Sequence, residues 1–219
     1  MKIAVYTVIT GGYDKPKPIN PDFKLEADFY LFSDVDIKDS EYEVIRLVMP
    51  ELNIKRKSRI VKLLPHRYLK DYEYTLYLDG SVELLESPAN IVKKYASRAD
   101  IIVFKHPWRK CIYEEGRAVV DYGFSSREEV RRQLNFLRSQ HYPRNNGLTE
   151  NGVILRKNTP EINKLNEYWW KMCSIYTYRD QLSFCFCAWK LGIKYGLFDG
   201  QVRADRQPKP TEFLLYPHK

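Results

Sequence analysis

The 219 residues, 44% of them hydrophobic, can bury one substantial core, and a single domain is expected. No stretch approaches the ~18 consecutive apolar residues of a membrane span, and the opening MKIAVYTVITGG lacks the basic region and cleavage pattern of a signal peptide, so the chain reads as cytoplasmic. A net charge of +8 and a pI near 9.2 call for anionic partners: a nucleotide diphosphate, an anionic membrane touched peripherally, or nucleic acid. The four cysteines (Cys111, Cys173, Cys185, Cys187) have neither framework nor zinc-ligand spacing, so reduced, buried thiols are expected.

Residues 2–10 alternate β-branched and polar positions and read as a strand that runs into Gly11-Gly12-Tyr13-Asp14. There, glycine amides could approach a nucleotide while Tyr13 stacks on its base, although a plain tight turn needs no ligand. Residues 29–32 and 42–48 supply two further strands. Residues 55–64 predict a helix that carries Lys55, Arg59 and Lys62 at i, i+4, i+7, with Ile54, Ile60, Val61 and Leu64 on the opposite side. Such a stripe is either a solvated basic face or a diphosphate-neutralising one, with Arg59 suited to bidentate contact.

The run YTLYLDGS, residues 74–81, is the most informative. It is a β-type apolar segment that ends abruptly on Asp79, followed by Gly80 and the hydroxyl of Ser81, as expected of an acid at the carboxyl end of a parallel strand where ligands bind. Asp79 is therefore the first catalytic candidate and the candidate ligand of a divalent cation, Mn²⁺ or Mg²⁺. Asp-Gly-Ser departs from the Asp-x-Asp pair of many sugar-nucleotide enzymes; one carboxylate with diphosphate oxygens can still hold a hard cation.

A fifth strand over 101–105 leads into His106-Pro107-Trp108-Arg109, and Glu114-Glu115 follow. These are candidates for donor or acceptor hydroxyls, with the alternative that His106 is structural and the two glutamates are first-turn helix acids. A helix is expected from about Ser125-Ser126, capped through Glu128 or Glu129. A sixth strand over 152–156 is preceded by Glu150-Asn151. Thr159-Pro160-Glu161 opens another helix, and residues 179–191 form the last, ended by Gly192. Glu150 and Asp180 are candidates for deprotonating an acceptor hydroxyl or steadying positive charge at a sugar C1, although Thr177-x-x-Asp180 is also a capping-box pattern. Strands alternating with helices predict an α/β sandwich with a mostly parallel central sheet.

Taken together, YLDGSVEL, His106 with Arg109, Glu114-Glu115, ENGVILR, YRDQLSF, RIVKLLPHRY and VYTVITGGYD resemble the mucilage-related and turgor-regulation-defect family, whose members are regarded as GT-A-type glycosyltransferases. The resemblance runs from the first strand to about residue 191. It implies a GT-A-like three-layer sandwich with helices on both faces, forming one domain over residues 1–200. A nucleotide-sugar half would occupy about 1–106 and an acceptor half about 107–200, with 201–219 as a strap or linker.

It further implies a UDP-linked sugar donor and a glycan or glycoconjugate acceptor; nucleic acid as partner is disfavoured because the basic residues are interleaved with apolar ones and the acids cluster at strand ends. By position it puts Asp79 on the cation and diphosphate, Arg59 and Lys62 on the diphosphate, and Glu150, Asp180 and Gln181 on sugar or acceptor; with the residue reading added, Gly11, Gly12, Tyr13, Arg59, Lys62, Asp79, Ser81 and His106 would face the donor and its cation. Arg109, Glu114, Glu115, Asn151, Arg179 and Gln181 would face sugar or acceptor, and Asp79, Glu150 and Asp180 would carry the chemistry. Two rivals remain open at this stage: a non-catalytic basic module for nucleic acid or an acidic polymer, and a hydrolase of a glycoside or glycolipid.

Overall fold

The computed structural model describes residues 1–38, 40–203 and 211–217. Strand β1 (Ile3–Ile9) is buried at every position, which suits a strand covered on both faces. Its residues divide by parity: Ala4, Tyr6 and Val8 join one apolar cluster and Ile3 and Val5 another, so the sheet separates two cores. Beside β1 lie β2 (Asp28–Ser33) and β4 (Tyr74–Leu78), with β3 (Glu43–Arg46) beyond β2. Strand β5 (Val82–Leu84) stands outside the main sheet. The seven-stranded order is completed by β7 (Thr149–Lys157), β6 (Ile101–Lys105) and β8 (Gly196–Leu197), giving β3-β2-β1-β4-β7-β6-β8.

All neighbours pair in parallel except β7, which runs antiparallel to both β4 and β6. The architecture is thus the expected α/β sandwich with a mostly parallel sheet, and the one reversed strand is the one that carries Glu150 and Asn151.

One face is covered by α1 (Ile54–Leu63), the short α2 (Pro65–Tyr68), α4 (Ile112–Asp121), α5 (Arg127–Ser139), α6 (Pro160–Ile175) and α7 (Phe184–Leu191). On the other face, α3 (Pro88–Tyr95) packs with Phe23, Phe198 and a two-stranded ribbon of β5 and β9 (Phe213–Leu215). Local chemistry explains the starts. Asn53, Ser87, Ser126 and Thr159 each accept a backbone N–H of their helix, and Ser126 with Glu129 forms a reciprocal capping box. All four cysteines are free and buried; burial pushes the Cys173 thiol up to about 12 and that of Cys185 to about 11.

Several local expectations are corrected. The third strand is only four residues long. The helix expected over 179–191 is broken: Asp180–Leu182 forms a single 3-10 turn and α7 begins at Phe184. The break has a cause in side-chain bonding. Thr177 gives its hydroxyl and amide to Gln133, so it does not cap at Asp180, and the Trp169 indole takes the Asp180 carbonyl. Gly192 does end α7, in the left-handed region at φ 66°.

On α1 the basic stripe divides: Lys55 is exposed, whereas Arg59 is largely covered and Lys62 is buried. Lys62 is 2% exposed, whereas Ile54, expected on the buried side, is 53% exposed. Of the segment 201–219, residues 204–210 and 218–219 lie outside the described residues; 213–215 pair with β5, and Arg203 reaches the cleft described next.

Candidate active site

The carboxyl ends of β1 and β4 open into a cleft of about 800 Å³. At its floor, β4 meets the reversed strand: the Asp79 amide donates to the Gly152 carbonyl at 2.7 Å. Because β7 is antiparallel, its beginning lies where β4 ends, which brings Glu150, Asn151 and Gly152 beside Asp79. A bulge assists. In the β6–β7 ladder Val103 pairs with Ile154 but Phe104 with Glu150, so residues 151–153 are extra on β7; Asn151 and Gly152 line the cleft, while Val153 packs into the core. Gly80 permits close approach of the loop after β1: a Cβ there would meet the Asp14 Cβ at 3.0 Å.

Asp79 Oδ1 accepts the Tyr77 hydroxyl at 2.6 Å and the Lys62 ammonium at 3.2 Å. Lys62 also lies 2.8 Å from Asp180 Oδ2, and Arg59 Nε stands 3.7 Å from Asp180 Oδ1. Burial by itself would raise the Asp180 carboxyl, but Lys62 and then Arg59 outweigh it and hold the group well below the usual carboxylate range. Burial lowers the affinity of Arg59 for its proton, yet Asp180 and Asp79 more than reverse this, so the guanidinium stays charged. A buried arginine, Arg156, reaches the Tyr6 hydroxyl at 3.2 Å beneath this cluster, and that hydroxyl donates to the Lys62 carbonyl at 3.0 Å.

Glu150 is differently placed. It is 5% exposed; Oε1 accepts from Arg203 Nε at 2.5 Å, while Oε2 is buried without a hydrogen-bond partner. Burial raises its pKa, Arg203 draws it back, and Asp79 raises it again; the net shift is upward. Next to it, Asn151 Oδ1 accepts the Thr149 hydroxyl, and its buried Nδ2 has no partner.

His106 follows β6 and accepts the amides of Trp108 and Arg109 at Nδ1, which leaves the proton on Nε2, 3.5 Å from Glu115 Oε2. Burial, reinforced by Arg109, Arg203 and Arg179, pushes its pKa down to about 4, so the ring is neutral and braces the turn. Glu115 also pairs with Arg109 Nε. Arg179 bonds Gln181 at 2.9 Å and stacks over Phe124 at 4.7 Å.

Tyr13, Arg59, Lys62, Asp79, His106, Arg109, Glu115, Glu150, Asn151, Arg179, Asp180 and Gln181 thus all line one cleft, although they come from both halves of the chain. Four candidates are not brought there. Gly11 is exposed and gives its amide to Asp34 at 2.7 Å, and Gly12 is exposed beside it. Ser81 is buried below the floor, where its carbonyl accepts from the Tyr216 amide. Glu114 faces away on α4, so of the two adjacent glutamates only Glu115 enters.

The sequence reading missed Arg203, which no motif marks, and the aromatic wall of Tyr122, Phe124 and Tyr178. The wall's signal was present as two aromatics flanking Gly123, between the helices at 112 and 127.

As a metal centre, the site does not form a protein cage. Among the described residues no three His, Cys, Asp or Glu side chains converge, and Lys62 already supplies positive charge at Asp79 Oδ1. The donor set suits a hard cation carried by phosphate oxygens and water, with Asp79 as a single protein oxygen.

Residues 42–205 match the family described as TOD1/MUCI70, glycosyltransferase-like domain. The match begins at β3 and extends through Arg203, so it omits β1 and its glycines and includes the cleft's last arginine. A relative from Arabidopsis thaliana, "Probable hexosyltransferase MUCI70", is 26% identical over 156 residues, covering 67% of this chain and 27% of that protein. The chain therefore spans about a quarter of that relative's length. With three quarters of its residues inside the matched region, this chain belongs to the TOD1/MUCI70 glycosyltransferase-like family.

Proposed function

We propose that the chain transfers a hexosyl group from a nucleotide-diphosphate donor, UDP-linked, to a hydroxyl of a glycan or glycoconjugate. The observation that carries this reading is the division of labour between two buried carboxylates in one cleft. Asp180, tied to Lys62 and Arg59, is a weak base and serves to hold those cations in place. Glu150, with a raised pKa and one unpartnered oxygen, is suited to accept a proton.

In the reaction, the acceptor oxygen forms a bond to sugar C1 as its proton passes to Glu150 Oε2, and the bond from C1 to the diphosphate oxygen breaks. Lys62 and Arg59 face the negative charge that accumulates on the departing diphosphate. Asn151 Nδ2 is positioned to donate to a sugar hydroxyl, and the exposed rings of Tyr13, Trp108, Tyr122 and Phe124 offer faces on which base or sugar rings can stack. A Mn²⁺ or Mg²⁺ ion would enter with the diphosphate, held on the protein side by Asp79.

The family membership supports transfer over the basic-module and hydrolase readings, as does the pairing of Lys62, Arg59, Arg109 and Arg203 with carboxylates, which leaves these four cations committed within the cleft.

The test is a thermal-shift series with UDP-glucose, UDP-galactose, GDP-mannose and free UDP, each with and without Mn²⁺. A ligand that binds only the native state at 100 times its Kd stabilises by about 2.7 kcal/mol, which raises the melting temperature measurably. A selective response to uridine nucleotides, lost in Asp79→Ala, is expected. No response to any nucleotide sugar would remove the proposal.

A further inference from the structure

Resting on this reading, we propose that Arg203 is a positioning residue for Glu150. Supplied by the chain after β8, it fixes one oxygen of the carboxylate so that the other faces the acceptor hydroxyl. Three features of the cleft argue for this.

The first is the bond itself: Arg203 Nε reaches Glu150 Oε1 at 2.5 Å across 53 residues of sequence. The second is the support beneath the guanidinium. Its carbon lies 5.4 Å from the centre of the Trp108 ring, so an aromatic face limits its tilt, and the Trp108 amide is itself tied to His106 Nδ1. The third is the state of the carboxylate. Oε2 is buried and without a partner, an arrangement that costs free energy in the unliganded protein and leaves an acceptor lone pair unused on a side chain that lines the cleft.

Without Arg203, rotation about the last torsion of Glu150 could exchange its two oxygens or turn them toward Asn151 Nδ2. With it, a single orientation is selected. Proton transfer requires the base within hydrogen-bond reach of the proton that it takes, so orientation of this oxygen bears on kcat and hardly on donor affinity. The other charged groups that act on the carboxylate are Asp79, after the end of β4, and Lys62, on α1; neither bonds to it. Arg203 is thus its one hydrogen-bonding side chain among the described residues.

A pair of single variants and their double separates the roles. Release of nucleoside diphosphate is measured from UDP-glucose, UDP-galactose and GDP-mannose over a panel of oligosaccharide acceptors, with UDP affinity measured by calorimetry. Glu150→Gln should lower kcat by about 10²–10⁴-fold, the usual contribution of a positioned base. Arg203→Gln should lower kcat by roughly 10–100-fold with donor KM and UDP affinity nearly unchanged, and Arg203→Lys should recover most of that loss, since the ammonium can still donate to Oε1.

The decisive variant is the double: if Arg203 acts through Glu150, Arg203→Gln adds nothing on a Glu150→Gln background. Multiplicative losses in the double, or a rise in donor KM in Arg203→Gln with kcat intact, would overturn the positioning role while the transfer reading stands. Failure of the wild-type protein to release diphosphate from any donor would overturn both. The Arg203 side chain is 45% exposed, so both substitutions are expected to fold.

Discussion

The ammonium of Lys62 lies 2.8 Å from Oδ2 of Asp180, and both side chains are buried, at 2% and 5% exposure. A pair so placed is costly to form, because each charge has given up water, and far costlier to break. Here it lines the candidate cleft, where on the proposed reading a lysine already desolvated would meet an incoming anion with little further reorganisation.

Lys62→Met should therefore lower unfolding free energy by about 3–5 kcal/mol, because it leaves Asp180 with only weaker neutralisation from Arg59 and Arg179. Urea denaturation gives this directly. Loss of UDP binding should accompany it, and a variant that bound UDP normally would remove Lys62 from the donor site.

Acid stability should carry the signature of Asp180. Its folded-state pKa is depressed, so the unfolded chain binds the proton more readily. The stabilisation is present above the unfolded value of roughly 3.9 and is lost as pH falls through the folded one. Asp180→Asn should be less stable than the wild type at pH 7, with the two stability curves converging as the pH drops below about 4.

Glu150 should behave in the opposite sense. Its pKa is raised by burial, so the folded state favours the protonated acid, and that advantage disappears as pH rises from about 4.3 through the folded value. Glu150→Gln should then match or exceed the wild type in stability at pH 7 while transfer is lost, with each kcal/mol gained worth about 2–4 °C in Tm. Arg203, left behind, is half-exposed and can be hydrated. A clear fall in Tm at pH 7 would show that Glu150 is held for structure.

Gly152→Ala tests the contact between β7 and Asp79. A Cβ at this position would lie 3.3 Å from Asp79 Oδ2, and the backbone there has no left-handed φ, so the strand should tolerate the methyl while the carboxylate shifts. The contact is relieved by a shift well short of the ~1 Å that can cost about 10²-fold in rate, so kcat/KM should fall by up to about 10-fold with Tm almost unchanged. Unaltered turnover would place Asp79 outside the chemistry.

Much of the strand framework was readable in the chain itself. Apolar segments with β-branched residues ended on turn chemistry at Asp79 and His106, and caps at Ser126 and Thr159 marked two helices, because these signals are local. What local signals could not supply was direction and partner. Nothing in ENGVILR says that β7 runs against its neighbours, yet that reversal is what sets Glu150 and Gly152 against Asp79.

The α1 periodicity placed Lys62 on the same helical face as Arg59 but could not say that an acid 118 residues further on would draw it inside. Arg203 gave no sign of itself, since a lone arginine in a tail rich in Pro and charge acquires meaning only from the buried carboxylate that it meets. Sequence by itself determined most of the central strands, several helix starts and which acids stand at their ends, since backbone propensity, capping and apolar period act over a few residues. The tertiary structure alone decided that Asp180 lies between Lys62 and Arg59 and that Glu150 meets Arg203 through one oxygen, because charge and burial depend on neighbours distant in the chain.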